Sequence, residues 1–102
     1  MTLTRFTRAL LIQKHHPALA GHFPGNPIVP GVVLMDQIQR LWFEHTGKLV
    51  TVVWNAKFTS PLKSGVNCEV EYFEKNSGKV NFHVTTLDRT STLIAKGQFG
   101  YE

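Results

Sequence analysis

Residues 21–36 read GHFPGNPIVPGVVLMD and join a proline-rich segment to the beginning of an apolar one. Pro24, Pro27 and Pro30 recur at every third position. Each proline removes a backbone N–H and restricts the residue before it. The stretch 17–30 therefore cannot form a long helix, and we expect a shaped loop.

A helix is predicted directly after this loop, from Gly31 to about Thr46. Pro30 stands near the first helical position, where a missing N–H costs nothing, and Gly47 follows as a stop signal. The helical period groups Leu34, Ile38, Leu41, Trp42 and His45 on one face, and Asp36 with Val32, Val33, Arg40 and Phe43 on the other. Because both faces are apolar in the N-terminal half, we expect burial on two sides.

Two side chains in this region are suited to acid–base chemistry. His22 follows Gly21 and precedes Phe23-Pro24-Gly25, so its backbone is confined. A histidine titrates near neutrality, so a fixed imidazole can accept and return a proton at cellular pH. Asp36 would supply a carboxylate in a partly apolar setting.

The rest of the chain has the patterns of strands. Residues 5–14, 49–58, 66–75, 80–85 and 93–101 are apolar or alternate, and short polar turns separate the last three. One strand, one helix and four strands predict an α+β fold in which an antiparallel sheet wraps a central helix. With 102 residues the chain is expected to form one domain, residues 1–102.

The sequence resembles the hot-dog-fold (3R)-hydroxyacyl-acyl carrier protein dehydratases, whose motif is H-F-P-G-x-P-I-x-P-G-V followed by a carboxylate on the helix. Asp36 stands at the carboxylate position. The motif positions that agree are His22, Phe23, Pro24, Gly25, Pro27, Ile28, Pro30, Gly31 and Val32. A weaker likeness continues through KFTSPLKSG at 57–65, which resembles the family's F-x-x-P-V-x-P-G turn. The hot-dog fold implied by the resemblance agrees with the predicted order of elements.

This resemblance implies dehydration of a (3R)-hydroxyacyl thioester to the trans-2-enoyl product in fatty acid or polyketide-type biosynthesis, without a cofactor. His22 would be the base and proton shuttle, and Asp36 would orient the water or hydroxyl. The N–H groups of Gly31 and Val32 would bind the thioester oxygen. The residues that would line an acyl tunnel are Phe23, Met35, Trp54 and Phe58. The family's histidine and acid meet across a dimer interface, so we expect a homodimer or a dimer-based oligomer.

Two residues depart from the family's pattern. The smaller dehydratases usually carry glutamate where Asp36 stands, and aspartate is typical of the branch that also isomerises the double bond. The family usually has glutamine where this chain has Arg40, which at i, i+4 spacing could pair with Asp36 and favour its ionised form. Short members of the family serve aryl polyene and other polyketide-like pathways, and this chain could be one of them.

The charge composition bears on the partner. Eleven Lys and Arg against seven Asp and Glu give a net charge of +4, scattered along the chain. Scattered charge is typical of a solvated surface. The acyl carrier proteins that the family uses are strongly acidic, however, so the resemblance favours such a carrier, with Lys57 and Lys63 as its contacts. No recognised nucleic-acid motif supports binding to nucleic acid.

The sequence also bears on location, metals and disulfides. No apolar run approaches the ~20 residues that span a bilayer, and no secretory signal is recognised, so a cytoplasmic protein is expected. Cys68 is the single cysteine, which excludes an internal disulfide, and we expect it to face the core. His15, His16 and His22 lack the ligand pattern of a zinc site, so no metal is expected.

Three functions stay open at this point. The first is a hydroxyacyl thioester dehydratase. The second is a hot-dog thioesterase, which is disfavoured because those enzymes usually lack the HFPG turn. The third is a non-catalytic, acyl-carrier-binding subunit of a hetero-oligomer with another dehydratase. Retention of His22 and Asp36 argues against it, whereas Arg40 keeps it open, since Asp36 could be a structural carboxylate paired with Arg40.

Overall fold

A computed structural model describes residues 4–13 and 28–102. Its elements in chain order are β1 (Thr4–Leu10), α1 (Gly31–Thr46), β2 (Val50–Phe58), β3 (Cys68–Asn76), β4 (Lys79–Thr86) and β5 (Leu93–Tyr101). The five strands form one antiparallel sheet in the order β1-β3-β4-β5-β2. This is the predicted α+β architecture, in which a hot-dog sheet packs around one helix.

Strand alternation gives the sheet an inner face, packed on α1, and an outer face. On β3 and β4 every second side chain is buried on the inner face: Cys68, Val70, Tyr72, Val80, Phe82 and Val84. The Tyr72 hydroxyl donates a hydrogen bond to the Ile38 carbonyl of α1 at 2.5 Å. Burial of this phenol raises its pKa, so it stays a neutral donor that ties the helix to the sheet.

Helix α1 has the predicted bounds because local signals set both ends. Pro30 precedes it with φ −62° and ψ 146°, and Gly47 ends it in the left-handed conformation with φ 74°. The Gly47 N–H then donates to the Phe43 carbonyl at 2.7 Å. The helix side chains buried against the sheet are Val33, Leu34, Ile38, Leu41 and Trp42.

Among the described residues, none covers the other side of α1. Val32 is 77% exposed, and Phe43 is exposed as well. His45 is exposed, and its ring stacks on Phe6 with centroids 3.7 Å apart. Burial of the helix on two sides would therefore need a surface beyond the described residues.

Strand β2 lies at one edge of the sheet and pairs with β5 alone. Its register shifts twice, between Val50 and Val52 and between Val53 and Asn55. Such bulges place consecutive residues on sides that simple alternation does not predict. Val53 and Phe58 pair with Phe99 and Ala95 on the inner side, whereas Asn55 and Lys57 belong to the outer face.

Candidate active site

The predicted site residues divide into those that the structure describes and those that it does not. His22 and Phe23 lie outside the described residues, as do His15 and His16. The remaining residues fall on three segments. Gly31, Val32, Met35 and Asp36 are on α1; Trp54, Lys57 and Phe58 are on β2; Lys63 is in the following turn.

The first turn of α1 presents backbone donors. No side chain caps it, and the Pro30 carbonyl accepts hydrogen bonds from the N–H groups of Val33 and Leu34 at 3.0 and 3.2 Å. The N–H groups of Gly31 and Val32, at the start of the helix, have no intrahelical acceptor. Together with the helix dipole, these donors suit an oxygen that carries partial negative charge.

The approach to this turn is anchored on the segment that follows β2. The Val29 N–H donates to the Leu62 carbonyl at 2.8 Å, and Ile28 and Lys63 form an isolated antiparallel bridge. Leu62 is buried. The position of the helix start is therefore fixed by backbone pairing and not by a cap.

Phe58 covers the helix start. A Cβ atom on Gly31 would lie 2.9 Å from the ring Cζ of Phe58, so the ring occupies the space that any larger residue would need. Phe58 is nevertheless 49% exposed. The structure thus brings together a predicted oxyanion-binding residue and a predicted tunnel residue.

Asp36 lies on the uncovered side of α1 with Arg40 one turn further along. Arg40 Nε donates to Asp36 Oδ2 at 2.7 Å, and the Asp36 side chain is 58% exposed. The hydrogen bond and charge of Asp36 raise the pKa of the Arg40 guanidinium. The predicted pair is confirmed. Exposed ion pairs contribute only about 0.2–1 kcal/mol, so its main effect is to orient the carboxylate.

A groove of about 280 Å³ lies beside this pair. Its walls are Asp36, Gln39, Arg40, Phe43, Glu44, Leu49 and Val50. A set of exposed apolar side chains lies on α1, directly before β2 and on the inner side of β2. We call these side chains the apolar belt: Val32, Phe43, Leu49, Val53 and Phe58. Phe43 and Leu49 were not among the predicted site residues. The only sequence signal for Phe43 was its place on the same helix face as Asp36.

Met35 and Trp54, both predicted tunnel residues, have different surroundings. Met35 is half-buried and packs against the core. Trp54 lies on the outer face, where its indole packs on Gly100; a Cβ atom there would lie 2.7 Å from Trp54 Cη2. Trp54 is therefore separated by the sheet from Asp36 and from the start of α1.

Within residues 4–13 and 28–102, no three His, Cys, Asp or Glu side chains lie close enough to hold a metal ion. In the same part of the chain, no helix combines the length and apolar character needed to cross a membrane. Cys68 is buried, as predicted, and burial raises the pKa of its thiol.

Comparison with known proteins places this geometry in a family. Residues 2–98 match the family described as ApeI-like, ApeI dehydratase. The 3-hydroxyacyl-[acyl-carrier-protein] dehydratase FabZ of Zymomonas mobilis is 34% identical over 86 residues, which cover 72% of this chain. The chain spans 54% of the length of that relative.

Solved structures share the fold. An uncharacterized protein from Erwinia carotovora superposes with a TM-score of 0.83 at 19% identity, over 98% of this chain and 84% of that one. The dehydratase heterocomplex ApeI:P from Xenorhabdus doucetiae gives 0.74 at 19% identity, over 95% and 86%. With the family match over residues 2–98, the chain belongs to the ApeI-like dehydratase family of hot-dog proteins.

Proposed function

We propose that this protein dehydrates (3R)-hydroxyacyl thioesters carried by an acyl carrier protein, giving the trans-2-enoyl thioester. The observation that carries the proposal is the arrangement on α1: Asp36, oriented by Arg40, follows the uncapped N-terminus that Phe58 covers. Family membership supports it, as does the dehydratase activity for which the Zymomonas relative is named.

The reaction needs a base, an acid and donors for an oxyanion. A base removes a proton from C2, the electron pair of that C–H bond forms the C2=C3 double bond, and the C3–O bond breaks. The hydroxyl leaves with a proton as water. His22 would take the C2 proton and return one to the leaving hydroxyl, which Asp36 would hold in place.

The N–H groups of Gly31 and Val32 would stabilise the charge that develops on the thioester oxygen. Donors fixed before the reaction are most effective in this role, and loss of one typically costs about 2.7–4 kcal/mol in the barrier. Pro30 has no N–H and leaves the helix start without a side-chain cap, so these donors stay available for substrate.

We further propose a homodimer formed through the apolar belt and the edge of β2. An exposed apolar patch of this kind is typical of an interface. The edge strand β1 carries Arg5 and Arg8, whereas on β2 Lys57 is the single charged residue, so β2 is the less protected edge. An isologous pairing would cover Asp36, and the resemblance implies that the histidine acting with it, His22, belongs to the second copy.

The acyl chain would then lie between α1 and the inner side of β2. Phe58 and Met35, with Phe23 from the motif, are the proposed tunnel residues. Trp54 is left out of this tunnel because it lies on the outer face.

An acidic acyl carrier protein is the proposed carrier, and Lys57 and Lys63 are its proposed contacts. Both lysines are exposed, and Lys63 lies beside the segment that precedes α1. Steering by exposed charges is screened over ~8 Å at physiological salt. The second-order rate with the carrier should therefore fall as salt rises.

A heteromeric arrangement is the alternative. The solved neighbour from Xenorhabdus doucetiae is described as a dehydratase heterocomplex, and Arg40 on Asp36 departs from the usual site. In that case another hot-dog subunit would supply the catalytic histidine. Light scattering on the purified protein, with activity measured on the same sample, separates the two arrangements.

The decisive experiment assays the purified protein with 3-hydroxyacyl groups on the acyl carrier protein and on coenzyme A, following the conjugated enoyl thioester by absorbance. Turnover by the homodimer is expected, with its loss in His22→Ala. Full activity of His22→Ala would overturn the proposed site. Release of free thiol without enoyl product would identify a thioesterase instead.

A further inference from the structure

The outer face of β2 and β5 carries an exposed tryptophan beside two lysines. Trp54 is 52% exposed, although it belongs to the face that points away from the helix. Lys57 and Lys96 are direct cross-strand partners on the same face. We call Trp54, Lys57 and Lys96, together with the amide side chains between them, the outer-face patch.

The two lysines are an unfavourable pair for the fold alone. Like charges directly opposite each other on a sheet destabilise it. In the part of the chain that the structure describes, no carboxylate oxygen lies within 4.0 Å of either ammonium group. His83 is the next residue in this row and is bound to Glu71 at 3.0 Å. The positive charge at β2 and β5 is therefore uncompensated by the residues described.

A row of amide side chains forms the floor beside the lysines. Asn55 Nδ2 donates to Gln98 Oε1 at 3.3 Å, and Gln98 Nε2 donates to Asn81 Oδ1 at 2.7 Å. These residues, with Lys57, Lys96 and His83, border an open groove of about 670 Å³. The patch is thus concave, ordered by hydrogen bonds and positively charged.

Trp54 gives the patch an apolar anchor. Its indole lies on Gly100, where the absence of a side chain lets the ring approach the sheet. Val52, the cross-strand partner of Gly100, is exposed beside it. A tryptophan that is held in place and surrounded by polar side chains is typical of the residues that contribute most of the free energy of protein–protein binding.

We infer that the outer-face patch docks an acidic protein domain. A second copy of this chain is a poor occupant, because an isologous contact would bring Lys57 and Lys96 against the same lysines. Nucleic acid fits less well, since Glu71 ends the basic row at β3 and leaves no continuous track for phosphates. An acidic surface would pair with the two lysines, and an apolar side chain on that surface would pack against Trp54.

The choice of domain rests on the proposed function: we take the acidic acyl carrier protein as the occupant. Lys57 directly precedes Phe58, whose ring covers the start of α1. The lysine end of the patch therefore lies at the same end of β2 as the start of α1, where the thioester would bind, but on the opposite face of the sheet. Lys96, which the sequence did not single out, is the new contact.

Binding of unloaded acyl carrier protein tests the patch without any reaction. The chain has two tryptophans, and Trp42 is buried, so a change in fluorescence on adding a tryptophan-free carrier reports on Trp54. We expect saturable binding at low salt that Lys96→Glu weakens about tenfold. Lys96→Gln should weaken it less. Lys75→Glu, a reversal at an exposed lysine on β3, is the matched control and should bind as the parent does.

Calorimetry with Trp54→Ala completes the test, with circular dichroism to verify that each variant is folded. Weakened binding in Trp54→Ala and Lys96→Glu supports the patch. Carrier that fails to bind, or binds both variants as it binds the parent, overturns it. Duplex DNA that outcompetes the carrier, or a dimer that dissociates in Lys96→Glu, also overturns it. A protein that binds through the patch but never dehydrates would refute the proposed function alone.

Discussion

Arg40 holds Asp36 through a 2.7 Å hydrogen bond from Nε to Oδ2 on the uncovered side of α1. The hydrogen bond and the opposite charge raise the pKa of Arg40, so the guanidinium is a permanent cation beside the proposed catalytic acid. A neutral glutamine, the residue usual in the resembling family, would leave that carboxylate without a fixed charge partner.

Arg40→Gln should therefore lower kcat and change little else. The substitution removes the Nε–Oδ2 hydrogen bond that orients Asp36, so the carboxylate would hold the leaving hydroxyl less well. The free energy of unfolding should change little, because the pair is exposed. Arg89→Gln, an exposed arginine in the β4–β5 turn, serves as the control. A kcat equal to that of the parent would show that the pair has no part in the reaction.

Comparing His22→Ala with Asp36→Asn should separate proton transfer from orientation. Loss of a general base typically costs about 10²–10⁴ in rate, and His22→Ala should lose at least that much turnover. Asp36→Asn keeps the shape and one acceptor oxygen, so it should cost less if Asp36 only orients the hydroxyl. Equal losses in kcat would instead assign Asp36 a proton-transfer role.

Gly97 and Gly100 should tolerate alanine very differently. At Gly97 a Cβ atom would lie 2.2 Å from the Asn55 carbonyl oxygen and 2.9 Å from the Phe82 ring, and a strand backbone cannot retreat without breaking the β2–β5 pairing. At Gly100 it would lie 2.7 Å from the exposed indole of Trp54 and 3.0 Å from the exposed Val52 side chain, both of which can rotate away, and 3.2 Å from the Gly78 carbonyl oxygen.

Overpacking typically costs about 1–3 kcal/mol, so Gly97→Ala should lie at or above the top of that range. Gly100→Ala should cost about 1 kcal/mol or less and should shift the Trp54 emission. Urea denaturation followed by circular dichroism measures both variants. Similar urea midpoints for the two variants would show that β2 can move away from β5 to make room for the alanine at position 97.

The helix could be predicted to its last residue because its signals are local. Pro30 and Gly47 fix its two ends through their own backbone preferences. The i, i+4 spacing likewise predicted the Asp36–Arg40 pair, which the structure confirms. Such features depend on neighbours in sequence and not on the packing of distant segments.

The side of the sheet on which Trp54 lies could not be predicted in the same way. Two register shifts in β2 change which of its residues face the helix. No residue type in that strand indicates from the sequence where such shifts occur. The cover of the second helix face is not among the described residues, and sequence alone could indicate only that a cover is needed. The assignment of His22 lies outside the described residues and stays a prediction.

Asp88 organises the turn between β4 and β5. Its Oδ1 accepts hydrogen bonds from the Thr86 hydroxyl at 2.7 Å, from the Thr90 hydroxyl at 2.5 Å and from the Thr90 N–H at 3.0 Å. The bonds from Thr90, and then those from Thr86, lower the pKa of the Asp88 carboxyl. Ser91, in the same turn, has a positive φ of 46°.

These contacts predict how stability depends on pH. A carboxyl with a lowered folded-state pKa contributes stability above its ordinary pKa near 4, and this contribution is lost as the pH falls through the folded-state value. Asp88→Asn keeps an acceptor oxygen but removes the charge. At pH 6 its Tm should therefore be a few degrees below that of the parent, and the difference should shrink as the pH is lowered below about 4. Ser91→Gly, which relieves the left-handed backbone of the same turn, should shift the Tm equally at both pH values. A difference between the parent and Asp88→Asn that stays constant from pH 6 to pH 2 would show that the ionised carboxylate does not stabilise the turn.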